Sequence, residues 1–574
     1  MLGRSLAAVL TVVLVGCRAA PNEKGEKPVA TPASARGIVL VTVDGWWDPR
    51  TDGDSIPAQL IANEVRLTNA MTTSPQLRPA ICSILTGKSP PETGVRNDVT
   101  TPLPESVPLV PRALAERGWR TAAFVADPRV GIGSGLERGF EVFDPPKEVL
   151  FGSFRRIPRV RTPDEVVADF ATWLASVPES ASFFAWVQIS RSSADPEAGD
   201  GAAGVRSALG KLGTLIASTP RLANAAVALA GTAGRVDEGD GERSGYFLNA
   251  GVLGVPVILR SGGGEGRRAD AASPFSLVEL ASWITDEAGM AATPGETRPA
   301  GTPLIAWTWR GRDEFGWPAE VAAQLGTALC IHTVAGDDDR CEPWGGSALA
   351  DFDRQACLSA LARQPTTWAD PAAVPSLPRE LVDRLDRLGL RARPGSQPAT
   401  RSVSHDARAQ VLGAVVAARR IEDDRKGAAA DAEYQKALAR DSKNFGVLIE
   451  AGEALALSGL AKPARARLDR AIQLAPSHPE AWHWLGHVAY LEKQLDRADA
   501  QWQVSEVLRS ANGDLLYDLA CSRSIMGRVA ESDAYLRKAW AAGFRDVNKI
   551  QIDSDLRNLR ADPAFLRFMR EVVH

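Results

Sequence analysis

Residues able to carry chemistry are spread unevenly along this chain. Its six histidines are His332, His405, His478, His483, His487 and His574, so none lies in residues 1 to 331. Imidazole is the most frequent general acid–base group and a frequent metal ligand; any centre in that long stretch must work without one. The stretch does hold Asp44, which ends the apolar run Gly37-Ile-Val-Leu-Val-Thr-Val43, and the neighbours Cys82 and Ser83. It also holds an acidic loop with Asp237, Glu238, Asp240 and Glu242. A single carboxylate cannot furnish the several oxygens a calcium-like ion requires, and the acidic loop reads as a solvated turn. His483 and His487 stand four residues apart, a helical spacing able to grip a metal. No third ligand or glutamate accompanies them, so they read as a solvated or groove-lining pair.

Composition narrows the class. The 574 residues carry 66 basic and 70 acidic side chains, well mixed, for a formal charge of -4. A general nucleic-acid binder needs a basic surface, and none is expected here. The length corresponds to about three or four domain-sized units. Besides Cys17 the cysteines are Cys82, Cys330, Cys341, Cys357 and Cys521. None has the C-x2-C spacing of a metal site. Cys330 is expected to pair with Cys341 or Cys357, and the odd count leaves at least one thiol free.

The elements that would position these residues alternate. Continuous apolar runs mark strands buried on both faces at residues 37–43, 120–126, 183–189, 225–231 and 255–260. Between them lie helical patterns. The clearest begins at Thr162-Pro163-Asp164-Glu165, a capping box with proline at the first helical position, and runs to about Val177. Strands alternating with helices imply an α/β fold, a mainly parallel sheet covered by helices on both faces. Ligands in such sheets sit at the carboxyl ends of the strands.

The N-terminus carries Arg4, the apolar run from Leu6 to Val15, and then Leu14-Val15-Gly16-Cys17. The run is too short to span a bilayer and reads as an export signal. Its ending resembles the bacterial lipobox, which implies cleavage before Cys17 and acylation of that thiol. Residues 1–17 are then a lipoprotein signal and 18–36 a flexible tether rich in Pro, Ala, Glu and Lys. The implied location is the cell envelope, anchored to a membrane by lipid. Arg18 after the cysteine favours the outer of two membranes.

Residues 37–395 resemble the sulfatase branch of the alkaline phosphatase superfamily. Asp44 falls where that family places a metal-binding aspartate. "RLTNAMTTSP" (66–75) is similar to the entry of its nucleophile helix and "SILTGKSPPETGV" (83–95) to the exit. "LVPRALAERGWRTAAFVAD" (109–127), "GLERGFEVFD" (135–144), "VPVILRSGGG" (255–264) and "FSLVELASWITDEAG" (275–289) are similar to later elements. The resemblance implies a nucleophile two residues before a proline. Pro79 supplies the proline, and the nucleophile slot holds Leu77, whose isobutyl group has neither lone pair nor proton. Cys82 and Ser83 lie more than a helical turn beyond it. The late metal pair of Asp and His falls on Thr232 and Ala233, with Arg235 following. Two further family histidines fall near Ser244 and Ser193. Arg78, Lys88 and Arg235 remain as candidates for binding an anion or a sulfated glycan.

From about residue 403 the chain is helical with a 34-residue period. Leu448, Ala451, Gly452, Ala464, Leu468 and Ala471 recur as Trp482, Leu485, Gly486, Ala498, Trp502 and Ser505. A third copy has Leu516, Leu519, Ala520, Leu536 and Ala539. Ala430, Tyr434 and Ala437 form an earlier half-copy, and "GFRDVNKIQIDSDLRNLRADPAFLRFM" reads as a terminal cap. The pattern over 403–574 resembles tetratricopeptide (TPR) repeats, which implies an all-α solenoid with a groove for a protein partner and few contacts needed from the preceding unit. Together these readings imply a lipid-anchored scaffold or binding protein with an inactive sulfatase-like domain and no cofactor. The alternative is a divergent sulfuric or phosphoric ester hydrolase with a rebuilt site and a divalent metal such as calcium.

Overall fold

The computed structural model describes residues 36–44, 65–98, 102–146, 148–151, 155–158, 160–191, 201–234, 245–262, 271–290, 298–299, 301–334, 339–345, 348–364, 374–390, 393–395, 401, 403–422, 426–508, 513–544 and 546–572. The expectations for residues 1–17 with Cys17, for the tether up to its last residue, and for Ser193, Arg235, the 237–242 loop and Ser244 lie outside the described residues.

The first apolar run forms strand β1, Gly37–Asp44, buried along its whole length. It lies at the centre of a seven-stranded sheet. The other strands are β2 (Val65–Leu67), β3 (Arg120–Val125), β4 (Val142–Asp144), β5 (Phe183–Ser190), β6 (Ala226–Gly231) and β7 (Val257–Arg260). Their spatial order is β2-β7-β6-β1-β5-β3-β4. The sheet is mainly parallel, and only β7 runs against its neighbours β6 and β2. Alternation along β1 splits its side chains between two apolar layers. Ile38 and Leu40 join one with Leu77, Ile81, Trp186 and Ile284, while Val39, Val41 and Val43 join another with Val166, Phe170, Leu209 and Leu212. The helices supplying these layers are α1 (Leu77–Thr86), α2 (Pro163–Ser176), α3 (Gly201–Ser218) and α4 (Glu279–Glu287). The capping box forms as the sequence predicts: Thr162 Oγ1 accepts from the Glu165 N–H, and Glu165 Oε2 accepts from the Thr162 N–H at 2.8 Å.

A second, antiparallel sheet follows: β8 (Leu304–Thr308), β9 (Glu320–Leu325), β10 (Ala328–Thr333) and β11 (Arg340–Pro343). Helix α5, Asp351–Leu361, packs on it. Cys330 and Cys341 face each other across β10 and β11 and are bonded, which resolves the two pairings left open by the sequence. Cys82, Cys357 and Cys521 are free and buried.

Helix α6, Arg379–Arg387, precedes eight helices in four antiparallel pairs. These are α7 (His405–Glu422) with α8 (Gly427–Arg440), α9 (Phe445–Leu457) with α10 (Ala461–Leu474), α11 (Pro479–Leu491) with α12 (Leu495–Leu508), and α13 (Gly513–Ile525) with α14 (Val529–Ala541). Starts at 445, 479 and 513, and at 427, 461, 495 and 529, both step by 34. The period has a steric cause. A Cβ on Gly452 would lie 2.5 Å from Leu468, and one on Gly486 would lie 2.4 Å from Trp502. The half-copy at Ala430 acquires a complete partner in α7. That helix departs from the period because Val411, Leu412 and Val415 pack on Tyr246, Phe315 and Trp317 of the α/β part instead of on a preceding helix pair. Phe544, Ile550, Leu556, Leu559, Phe565 and Phe568 close the far end around Tyr517 and Leu536.

The helical array does not stand apart from the rest. Arg408, on α7, is 1% exposed and pairs at 3.2 Å with Glu320, also 1% exposed, at the start of β9. Helix α6 lies before the junction expected between 395 and 403. Its Leu381 and Leu385 nevertheless share one apolar cluster with Leu468, Ile472, Leu485 and Val504, and its Arg384 is paired with Asp499 of α12. Among the described residues, no helix is long and apolar enough to cross a membrane.

Candidate functional site

Asp44 closes β1, and the parallel register sets it beside Ser190 at the end of β5, with Thr232 following β6. The carboxyl ends of three adjacent strands therefore meet at Asp44, where a parallel sheet places its ligands. Thr232 is fully buried; its N–H donates to Val43 O at 3.1 Å and its carbonyl accepts from Thr72 Oγ1 at 2.8 Å. Its hydroxyl lies 3.3 Å from Val43 O and 3.4 Å from Asp44 Oδ1. Ala233 is also buried. Thr232 and Ala233, where the resemblance expects a metal pair, thus contribute one hydroxyl toward Asp44 just past the end of β6.

Three residues that sequence reasoning did not single out complete the site. β3 runs into Asp127, which caps the short turn Pro128–Val130 by accepting the Arg129 N–H at 2.9 Å. The Arg129 guanidinium then faces three carboxylates. Its Nε donates to Asp127 Oδ1 at 2.9 Å and its Nη2 to Asp127 Oδ2 at 2.7 Å. Nη2 also donates to Asp44, and Nη1 reaches Asp98 Oδ2 at 3.3 Å. The other Asp98 oxygen accepts the Arg78 N–H at 2.8 Å, at the amino end of α1. A helix N-terminus attracts an anion, and here an internal carboxylate takes that position. One signal pointed to these residues: Asp127 and Arg129 directly follow the β3 run, whose carboxyl end must open on the site.

Electrostatics agree with the geometry. Burial pushes the Asp44 carboxyl up from its usual range; the Arg129 charge opposes this, while Asp127 and Asp98 add to it. Burial also works against the charge of Arg129, but Asp44, Asp127 and Asp98 together outweigh it and hold the guanidinium firmly protonated.

Leu77, which the resemblance sets in a nucleophile slot, is 1% exposed and belongs to the apolar layer beneath the sheet. Cys82 is fully buried, and burial pushes its thiol up to about 12. A thiolate there is suppressed at neutral pH. The Ser83 hydroxyl accepts from Thr73 Oγ1 at 2.9 Å and donates to Pro79 O at 3.1 Å, tying α1 to the preceding chain. Arg78 sits at the site, where its Nε donates to Arg129 O at 2.6 Å. Lys88 lies past the other end of α1, a rise of about 15 Å along the helix, so it does not share a ligand site with Arg78; Arg235, the third anion-binding candidate, lies outside the described residues. Among the described residues, no group of three or more His, Cys, Asp or Glu side chains is arranged to hold a metal ion.

In the array, His483 Nε2 lies 3.0 Å from Asp518 Oδ2. The His487 ring packs edge-on to Trp484 and near Tyr490. Trp482 is buried in the core and Trp484 packs beside His483.

No family model and no curated protein matches the chain. Solved structures resemble about 60% of it, its N-terminal part. They include a 2-O GAG sulfatase (14% identity, 62% of this chain and 92% of that one, TM-score 0.42). A phosphonate monoester hydrolase of Agrobacterium radiobacter is similar at 14% identity, over 57% of this chain and 94% of that one, with TM-score 0.42. The C-terminal periplasmic domain of EptC from Escherichia coli is similar at 15% identity, over 48% of this chain and 90% of that one, with TM-score 0.36.

Proposed function

We propose that this chain is a lipid-anchored envelope protein whose sulfatase-like unit does not hydrolyse esters and whose TPR-like array recruits a protein partner. The observation that carries the first half is the ion pair of Arg129 with Asp44. Hydrolysis of a sulfate or phosphate ester in this kind of site needs an oxygen nucleophile, a positive centre to polarise the ester oxygens and an acid for the leaving group. Leu77 offers no nucleophile, Arg129 is already engaged with three carboxylates, and no imidazole lies in residues 1 to 331. The second half is supported by four helix pairs, the last three at 34-residue steps, closed by an apolar cap. Such arrays commonly present an extended binding surface. Anchoring through Cys17 rests on the lipobox alone.

The test is an assay of the purified protein on aryl sulfates, phosphate monoesters and phosphodiesters with calcium, manganese or zinc added. No turnover above an Asp44→Ala control is expected. Metal-dependent turnover lost in Asp44→Ala would establish the rebuilt-site hydrolase instead. Mass spectrometry of the membrane fraction should find an acylated peptide beginning at Cys17; a soluble product cleaved elsewhere would overturn the anchor.

A further inference from the structure

The divalent cation that the family resemblance implies does not fit the residues around Asp44. The space it would enter is crossed by the Arg129 guanidinium, already in contact with Asp44, Asp127 and Asp98. We infer that Arg129 is a tethered replacement for that cation, supplied by the chain itself, and that it makes this site independent of divalent metal.

Three observations carry the assignment. The first is the fit of the fork. Nε and Nη2 engage both oxygens of Asp127 at 2.9 and 2.7 Å, the bidentate arrangement a planar guanidinium makes and an ammonium cannot, while Nη2 and Nη1 reach the other two carboxylates. The second is that its backbone is held on both sides. The Arg129 N–H donates to Asp127 Oδ1 at 2.9 Å, and its carbonyl accepts from Arg78 Nε at 2.6 Å. Neither contact depends on the side-chain rotamer, so the Arg129 backbone stays anchored beside the three carboxylates. The third is the burial of the acids. The side chains of Asp44, Asp98 and Asp127 are 11%, 10% and 3% exposed, against 36% for Arg129. Three carboxylates this poorly hydrated need a counter-charge in every folded molecule. An exchangeable metal would leave them uncompensated whenever it dissociated; a covalently attached guanidinium does not.

The inference goes beyond the proposed function and can fail separately from it. Ester turnover without any added cation would defeat that function and leave this assignment standing, whereas a bound cation without turnover would do the reverse. The experiment compares the full chain with Arg129→Ala and Arg129→Lys, each freed of metal and then melted with and without calcium, manganese or zinc chloride. The unaltered protein and Arg129→Lys should show the same melting temperature with and without each cation. Arg129→Ala should melt lower without cation and recover part of the loss, saturably, when one is added. Adding Asp44→Asn to Arg129→Ala should weaken that recovery. If Arg129→Ala does not fold, metal analysis of the unaltered protein after incubation and desalting decides alone. Substoichiometric metal supports the assignment. One retained equivalent, lost in Asp44→Asn, overturns it, as does a folded Arg129→Ala that gains no cation dependence.

Discussion

The indole N–H of Trp317 donates to Asp441 Oδ2 at 3.1 Å, joining the α/β part to the end of α8. Arg401 pairs with the same carboxylate, and the Asn444 amide donates to it at 3.0 Å. Burial raises the Asp441 pKa, but the hydrogen bonds from Arg401 and Trp317, with the Arg401 charge and Asn444, outweigh it and hold it below 3.8. A depressed folded value means the stabilisation is complete above the unfolded value and is lost as pH falls through the folded one. The join should therefore weaken as pH drops below 3.8. Asp441→Asn should be less stable than the unaltered protein at pH 7, with the difference shrinking in acid. Urea unfolding at several pH values reads this; a difference that does not change with pH would count against it.

Glu320 is the buried hub of the same join. It accepts from Arg408 at 3.2 Å, from Arg340 at 3.0 Å and from the Leu248 N–H at 2.9 Å. Glu320→Ala removes the shared carboxylate from two arginines, one of them buried, and should cost on the order of 3–5 kcal/mol. The α/β and helical signals should fall together in thermal unfolding. Loss confined to one of them would mean that the two parts unfold independently.

Helix α6 belongs energetically with the array. Burying a leucine contributes roughly 1.5–3 kcal/mol, and Leu381 and Leu385 are both buried against α10, α11 and α12 residues. A fragment starting at 374 should therefore melt higher than one starting at 403. Both should fall below the full chain, because each exposes the Val411, Leu412 and Val415 face that Trp317 covers. Equal melting temperatures for the two fragments would remove α6 from the array.

Gly486→Ala tests the packing rule behind the 34-residue period. Alanine in a helix interior normally gains about 1 kcal/mol over glycine. Here the new methyl would sit 2.4 Å from the rigid Trp502 ring, and overpacking costs roughly 1–3 kcal/mol. The substitution should be net destabilising, and Gly486→Ala with Trp502→Leu should be more stable than Gly486→Ala alone. The last pair already uses this combination, with Ala520 and Leu536 both buried in its core.

Leu77→Ser places a hydroxyl where the sulfatase resemblance would put a nucleophile, inside an apolar layer. Removing a buried leucine side chain costs about 2–5 kcal/mol, so the variant should be less stable. If the proposed reading holds, it should also show no turnover of aryl sulfates, because catalytic groups act as a unit and restoring one does not restore the set. Turnover by Leu77→Ser would show that the rest of the machinery survives.

Local pattern alone locates the strands at 37–43, 120–126 and 183–189, the helix opened by Thr162 and Glu165, and the step of the helix pairs. Each depends on neighbours a few residues apart or on a strict repeat, and such signals survive in sequence. The antiparallel sheet of β8 to β11 was not read, since its short strands break the strand–helix alternation. The partners of Asp44 were not read either. Arg129 is 85 positions from Asp44 and Asp98 is 20 from Arg78, and nothing in the intervening chain encodes their meeting. The sheet decides it by aligning the ends of β1, β3, β5 and β6. An arginine that looks like one more surface charge in sequence becomes the counter-ion of three buried carboxylates. The first helix pair follows the same logic: α7 breaks the period because its apolar face packs on Phe315 and Trp317, which precede β9 in the α/β part.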